Sequence, residues 1–432
     1  MLWPAPAGWF PVSRPSQRLA DSVWRPAAAK FARADYLLPH YLTFSLSHFL
    51  TISLPHFLTI SLPTMDEFVV AVVQLHIRLP QDRAELEQHL VRFVRLAQTK
   101  RTRLLVFPQF SGLMTSALVT KGASAGLLKQ ADRARRTNAS FWTRAQAKLA
   151  GSAAGVIGAD FGRALEGVLL KQPDLLWDSY ASLFSDIARY HGMVVVAGSG
   201  YLADPGDGAV RHTAAVFEPD GSLLGTQAAV SLAHDEHPLV EPARLWQAIA
   251  TPLGRLGVLI GNDVLYPEAG RMLAYDGAEM IVGLGAASET VQYHRQRLGL
   301  LARVEDNQIY GALSFSAGYN PFTAGDEEPY VGRSLIAAPA SMTPRYNGIL
   351  VEMGTDSTEG LITAEWSFNA LHQQWANDRA PLRSALPLEV AGPALAAIYS
   401  RGLPVQPALA ARDALAALPA PEQSAEESVE TD

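Results

Sequence analysis

From Phe68 onward the chain alternates short apolar runs with longer stretches in which apolar residues recur every three or four positions. The runs at 69–73, 104–107, 193–197, 214–217, 256–260 and 280–284 are bounded by Gly, Pro or charge, and they predict strands. Between the first two, the stretch from Arg83 to Leu96 predicts a helix. It sets Leu86, Leu90, Phe93, Val94 and Ala97 at steps of three and four, an amphipathic face. Strands alternating with helices indicate a layered α/β domain.

The first 64 residues follow a different pattern. Thr43-Phe-Ser-Leu-Ser-His-Phe-Leu50 recurs as Thr51-Ile-Ser-Leu-Pro-His-Phe-Leu58 and in part as Thr59-Ile-Ser-Leu-Pro63. An eight-residue repeat matches no common solenoid period. Residues 36–64 carry no Asp, Glu, Lys or Arg, so a membrane segment has to be weighed. Pro39, Pro55 and three histidines weaken it as a spanning helix. Met65 follows the repeat and precedes the first strand-like run. The expectation is that translation starts there, that residues 1–64 are a mis-called or disordered extension, and that no membrane is involved unless 36–64 are translated.

Composition adds three constraints. A net charge of −7 gives no broad basic field, so nucleic acid is not expected as a partner, and a cytoplasmic location is. Apolar residues make up 48%, enough for a substantial core, and there is no cysteine, which excludes disulfides and cysteine metal sites. A long Ala-rich stretch at 115–175, with Lys129, Arg133, Arg135 and Arg136, reads as a helical insertion in a domain spanning 65–380. Residues 381–432 are rich in Ala and Pro and end in an acidic run, which reads as a disordered tail.

Three motifs carry a resemblance. Leu104-Leu-Val-Phe-Pro-Gln109, Gly225-Thr-Gln-Ala-Ala229-Val-Ser-Leu232 and Gly254-Arg-Leu-Gly-Val-Leu-Ile-Gly261-Asn-Asp263 stand in the order and spacing of three catalytic motifs. They resemble those of the nitrilase, or carbon–nitrogen hydrolase, superfamily. Phe68-Val-Val-Ala-Val-Val-Gln74 resembles its opening strand, Leu301-Ala-Arg303-Val-Glu305-Asp-Asn307 one of its helices, and Gly332-Arg-Ser334 its late strand. The resemblance runs from about residue 68 to 376. It implies a four-layer αββα sandwich that packs as a homodimer, with no cofactor and no metal.

The resemblance also assigns roles. The family's first motif ends in a glutamate that acts as general base; here the position holds Gln109, whose amide cannot take up a proton. The second supplies a lysine that stabilises an oxyanion; here it is Ala229. The third supplies the cysteine nucleophile; here it is Gly261, with no other cysteine in the chain. The expectation is therefore a member of the superfamily without hydrolytic activity, which binds a small amide, nitrile or carboxylate-like molecule or serves in assembly. The competing expectation is an amidase-type hydrolase working through a rearranged site, with water activated by Glu236 or His234.

The remaining constellations rank below these. His234-Asp-Glu236-His237 is a dense polar cluster; its histidines have a metal-compatible spacing, but the resemblance makes Glu236 a pocket glutamate instead. Asp263 is expected to position backbone near the nucleophile turn, and Glu268 and Arg271 to be structural. Ser288 lacks the elbow motif of a serine nucleophile. The pocket candidates are thus Glu236, His234 and Asp263.

Overall fold

The run of Val and Ala in strand β1 (Glu67–His76) is buried on both faces, the signature of a strand inside a covered sheet. The computed structural model describes residues 66–119, 173–233, 236–237, 239–318, 320, 329–379 and 381–401. Within them β1 is the hinge of the architecture. It pairs in parallel with β2 (Thr102–Val106) and antiparallel with β13 (Gly360–Ser367) along its length. At its C-terminal end it also pairs in parallel with β10 (Tyr310–Ala317), through Leu75 with Ser316 and His76 with Ala317.

That short junction links two sheets. On the β1 side the order continues through β2 to β3 (Val194–Val196), β5 (Val210–Phe217) and β4 (Gly200–Ala203), with β6 (Leu223–Ala228) also on β5. On the β10 side it runs through β9 (Met280–Gly285) and β8 (Gly254–Ile260) to β7 (Ile249–Thr251), with β11 (Leu335–Ala337) and β12 (Ile349–Glu352) completing it. All six sequence-predicted runs lie on strands of this set.

Helices cover the outer faces. On the first sheet lie α1 (Arg83–Thr99), α2 (Leu113–Val119) and α3 (Pro173–His191); on the second lie α4 (Pro267–Tyr275) and α5 (Thr290–Asn307). Helix α6 (Phe368–Asn377) follows β13, and α7 (Leu388–Arg401) is exposed along most of its length. The five residues predicted for the buried face of α1 are its buried residues. Asp82 caps that helix by accepting the Glu85 N–H at 2.8 Å. The result is the expected α/β architecture, a curled mixed sheet with helices on both sides.

The first residues of the expected 115–175 insertion, Thr115 to Val119, belong to α2, and its last begin α3; residues 120–172 lie outside the described set, as do 1–65, His234 and 402–432. The expected tail opens with the α7 helix. Among the described residues no helix is long and apolar enough to cross a membrane.

Candidate functional site

Parallel strands deliver side chains to one edge of a sheet, and β2, β6 and β8 end around a common cavity of about 440 Å³. Gln109 follows β2, Ala229 follows β6 and Gly261 follows β8, and all three line that cavity. Gly261 has φ +56°, a left-handed turn that glycine adopts without strain. A β-carbon placed on it would sit 3.2 Å from Gln109 Nε2 and 3.4 Å from its Oε1. Position 261 therefore points at the head of residue 109. Three residues far apart in sequence thus line one cavity.

Gln109 is held from behind and open in front. Its backbone carbonyl accepts the Ser316 hydroxyl, while its side-chain Oε1 is buried with no hydrogen-bond partner among the described residues. The next residue, Phe110, has φ +63°, which costs a side-chain-bearing residue roughly 1–2 kcal/mol. That conformation lays its ring parallel to the His212 imidazole, with centroids 5.0 Å apart, and beside Tyr330 at 5.9 Å.

Asp263 sits two residues beyond Gly261 and is fully buried. Its carboxylate accepts the backbone N–H groups of Ser231 at 2.8 Å, Val230 at 3.2 Å and Ile260 at 3.4 Å. It ties the segment after β6 to the end of β8, so it positions the wall carrying Ala229. Burial pushes its pKa up to about 6 against the pull of those donors.

Glu236 lines the cavity and is 7% exposed. Its Oε1 accepts His212 Nδ1–H at 2.6 Å and the Tyr201 hydroxyl at 3.2 Å; its Oε2 accepts the Ala233 N–H at 2.8 Å. Burial acts to raise its pKa, but the His212 ring and the other donors hold it below the ordinary glutamate value.

Behind His212 lies Ser199, with Oγ 2.7 Å from Nε2. Ser199, His212 and Glu236 thus form a serine–histidine–carboxylate chain. Ser199 is fully buried, takes the Phe110 N–H at 3.3 Å, and is not part of the cavity wall. The chain braces the wall; its hydroxyl is closed off from a substrate in the cavity.

The sequence reading missed Ser199, Tyr201 and His212. Tyr201 and His212 are direct partners across the β4–β5 hairpin. The available signal was a histidine at the polar start of a strand that continues as Ala-Ala-Val-Phe217. It also missed Gln296 on α5, which lines the cavity at 1% exposure with neither amide atom partnered among the described residues. Its clue was a polar residue on the buried stripe formed by Tyr293, Leu300 and Val304.

Two of the other candidates lie apart from the cavity and a third, Ser288, is on its wall. Arg271 donates to the Asp306 carbonyl at 3.0 Å, and Glu268 accepts the Tyr399 hydroxyl at 2.5 Å, contacts that join helices. His234 lies outside the described residues, and among those no group of three or more His, Cys, Asp or Glu is placed to hold a metal.

Known proteins share this architecture. The family model for carbon-nitrogen hydrolase matches residues 69–374. A probable hydrolase of Bacillus subtilis (strain 168) is 26% identical over 209 residues, 46% of this chain and 38% of that protein. An omega-amidase of Xenopus laevis is 26% identical over 187 residues, 41% of this chain and 63% of that protein. The matches therefore span less than two thirds of either relative. The structure of a carbon-nitrogen hydrolase from Helicobacter pylori G27 superposes with a TM-score of 0.54 at 16% identity, covering 76% of this chain and 98% of that one. The C. elegans NitFhit protein gives 0.52 at 16% identity, covering 76% and 66%. At such identity these two share the fold.

Proposed function

The chain belongs to the carbon-nitrogen hydrolase family, and we propose that it uses the family's pocket to bind a small molecule without hydrolysing it. The observation that carries this reading is the convergence of Gln109, Ala229 and Gly261 on one cavity. Residues at these three positions are placed to act together. None of the three is a base, a cation or a nucleophile. Losing one oxyanion donor alone costs ~3–4 kcal/mol of transition-state stabilisation. The cavity has nonetheless stayed open, with a polar lining that includes Ser231, Asn262, Ser288 and Gln292, which supports a ligand over a relic.

Water activation by Glu236 is the competing reading. It is disfavoured because that carboxylate already accepts three donors and is held below its ordinary pKa, which makes it a weak base. Homodimer assembly is part of the proposal, and a monomeric mass in light scattering of the full chain would remove it.

The decisive assay is ammonia release from a panel of amides, N-carbamoyl compounds and nitriles. The unaltered chain is expected to be silent. Its partner in the assay is the triple variant Gln109→Glu, Ala229→Lys, Gly261→Cys. Turnover by the unaltered chain would overturn the non-hydrolytic reading.

A further inference from the structure

Helix α7 is not explained by its own sequence. Gly392 and Pro393, the two poorest helix formers, stand in its interior, and 14 residues make a marginal helix even without them. Such a helix is held by packing. Yet none of residues 388–400 is buried, and Leu388, Leu395 and Ile398 are 49, 43 and 57% exposed.

The two ends of α7 are tied down. Ahead of it, Arg383 donates to the Ala274 carbonyl at 3.1 Å and the Asn307 carbonyl at 3.2 Å, where α4 and α5 end, and lies 4.4 Å over the Trp375 ring. At the far end the Tyr399 hydroxyl donates to Glu268 in the first turn of α4. The helix therefore runs back along α4 with an open stripe between its anchors. That stripe is Leu388, Ala391, Leu395 and Ile398, at the steps of three and four by which one helix seats on another. Glu389 and Ser400 stand on the opposite side.

The open surface extends onto α4, where Met272 and Tyr275 are exposed, and to Tyr266 just before it. Ten of the eighteen large apolar side chains exposed among the described residues lie there or between residues 382 and 399. At about half exposure of roughly 150–200 Å² each, they present on the order of 800 Å² of apolar surface. That exceeds what a monomer commonly leaves in one patch, and it is what each partner contributes to a stable interface. The stripe carries no charge, so two copies of it meet without repulsion. Residues matched by the family model end at 374, so α7 belongs to this chain and not to the shared fold.

We infer that α7 is a docking arm for a second copy of this chain, seated through its Leu388–Leu395–Ile398 stripe on the same surface of the partner. A patch that meets its own copy about a two-fold axis closes after two chains. The inference rests on the homodimer of the proposed function and is independent of what the cavity binds.

The test uses the full chain. Because the sequence holds no cysteine, an introduced one reports alone. Ile398→Cys places a thiol on the stripe and Ser400→Cys places one on the opposite side; each is titrated with a maleimide while light scattering reads the mass. The chain is expected to be dimeric, with the thiol at position 398 reacting at least tenfold more slowly than the one at 400. Adding Leu395→Asp is expected to halve the mass and bring the two rates together. Leu395 lies outside the buried core, so the thermal midpoint of the domain should hold. Should the midpoint fall, the two thiols in the otherwise unaltered chain decide by themselves.

A dimer in which both thiols react alike overturns the arm and leaves the homodimer standing. So does a dimer that survives Leu395→Asp, whether another surface joins the copies or a segment of the same chain covers the stripe. A monomeric mass for the unaltered chain removes arm and homodimer together, and ammonia release still judges the pocket reading on its own.

Discussion

Asp263 Oδ1 accepts the backbone N–H of Ser231 across a sequence separation of 32 residues, at 2.8 Å. This bond, with the companion bonds to Val230 and Ile260, fastens two walls of the cavity to each other. Removing the carboxylate would leave three backbone N–H groups without their acceptor. Asp263→Ala is therefore expected to destabilise the domain by about 3 kcal/mol or more, with Asp263→Asn milder because its one oxygen still accepts. Urea unfolding measures both, and equal midpoints for Ala and the unaltered chain would refute the clasp.

The same carboxyl has a pH signature. Its folded pKa of about 6 lies above the ordinary aspartate value, so between roughly 4 and 6 the folded chain binds more protons than the unfolded one. Stability from this group is full below that window and is lost as pH rises through 6. Carbon-detected NMR should find a carboxyl titrating near pH 6 that disappears in Asp263→Asn.

Histidine 89 on α1 pulls the other way. Burial lowers its pKa from 6.5 to about 4, against the attraction of Glu359, which Arg78 and Arg92 also bond. The unfolded chain takes up this proton first, so stability is full above about 6.5 and falls as pH drops toward 4. The two effects oppose each other in one window and will partly cancel in the unaltered chain. His89→Gln is expected to remove this histidine's share of the acid-side loss, so that relative to the unaltered chain its stability declines as pH rises from 4 to 6. An unchanged curve would count against the buried neutral histidine.

At Gly261 the left-handed backbone and the nearby Gln109 head set the cost of any side chain. Gly261→Ala is expected to destabilise by about 1–2 kcal/mol, mostly from backbone strain, since the end of Gln109 is flexible enough to give way. Thermal unfolding of Gly261→Ala and of the double variant Gly261→Ala, Gln109→Ala separates the two contributions. Recovery of most of the loss in the double variant would assign the cost to the contact instead.

Much of the fold was legible because burial imprints a period on the chain. The strand-like runs and the buried face of α1 are local consequences of which residues avoid water, and they appear where the pattern put them. Positions 109 and 261 carry a local mark, since Pro108 and Gly261 stand where β2 and β8 end, whereas Ala229 follows β6 with no Gly or Pro beside it and was singled out by the resemblance alone. The Ser199–His212–Glu236 chain was not legible. Its members are ordinary polar residues in sequence, joined only when the β4–β5 hairpin sets Tyr201 opposite His212 and a loop returns Glu236 beneath them.

The sequence by itself determined the layered α/β class, the family, and that positions 109, 229 and 261 hold Gln, Ala and Gly in a chain without cysteine. It did so because hydrophobic periodicity and residue identity are properties of the chain alone. Only the tertiary structure decided that these positions face one cavity, that Asp263 clasps two of its walls, and that Glu236 pairs with His212 beside it. Those facts depend on distances of about 3 Å between residues tens to hundreds apart, which packing of two sheets sets and no local pattern encodes.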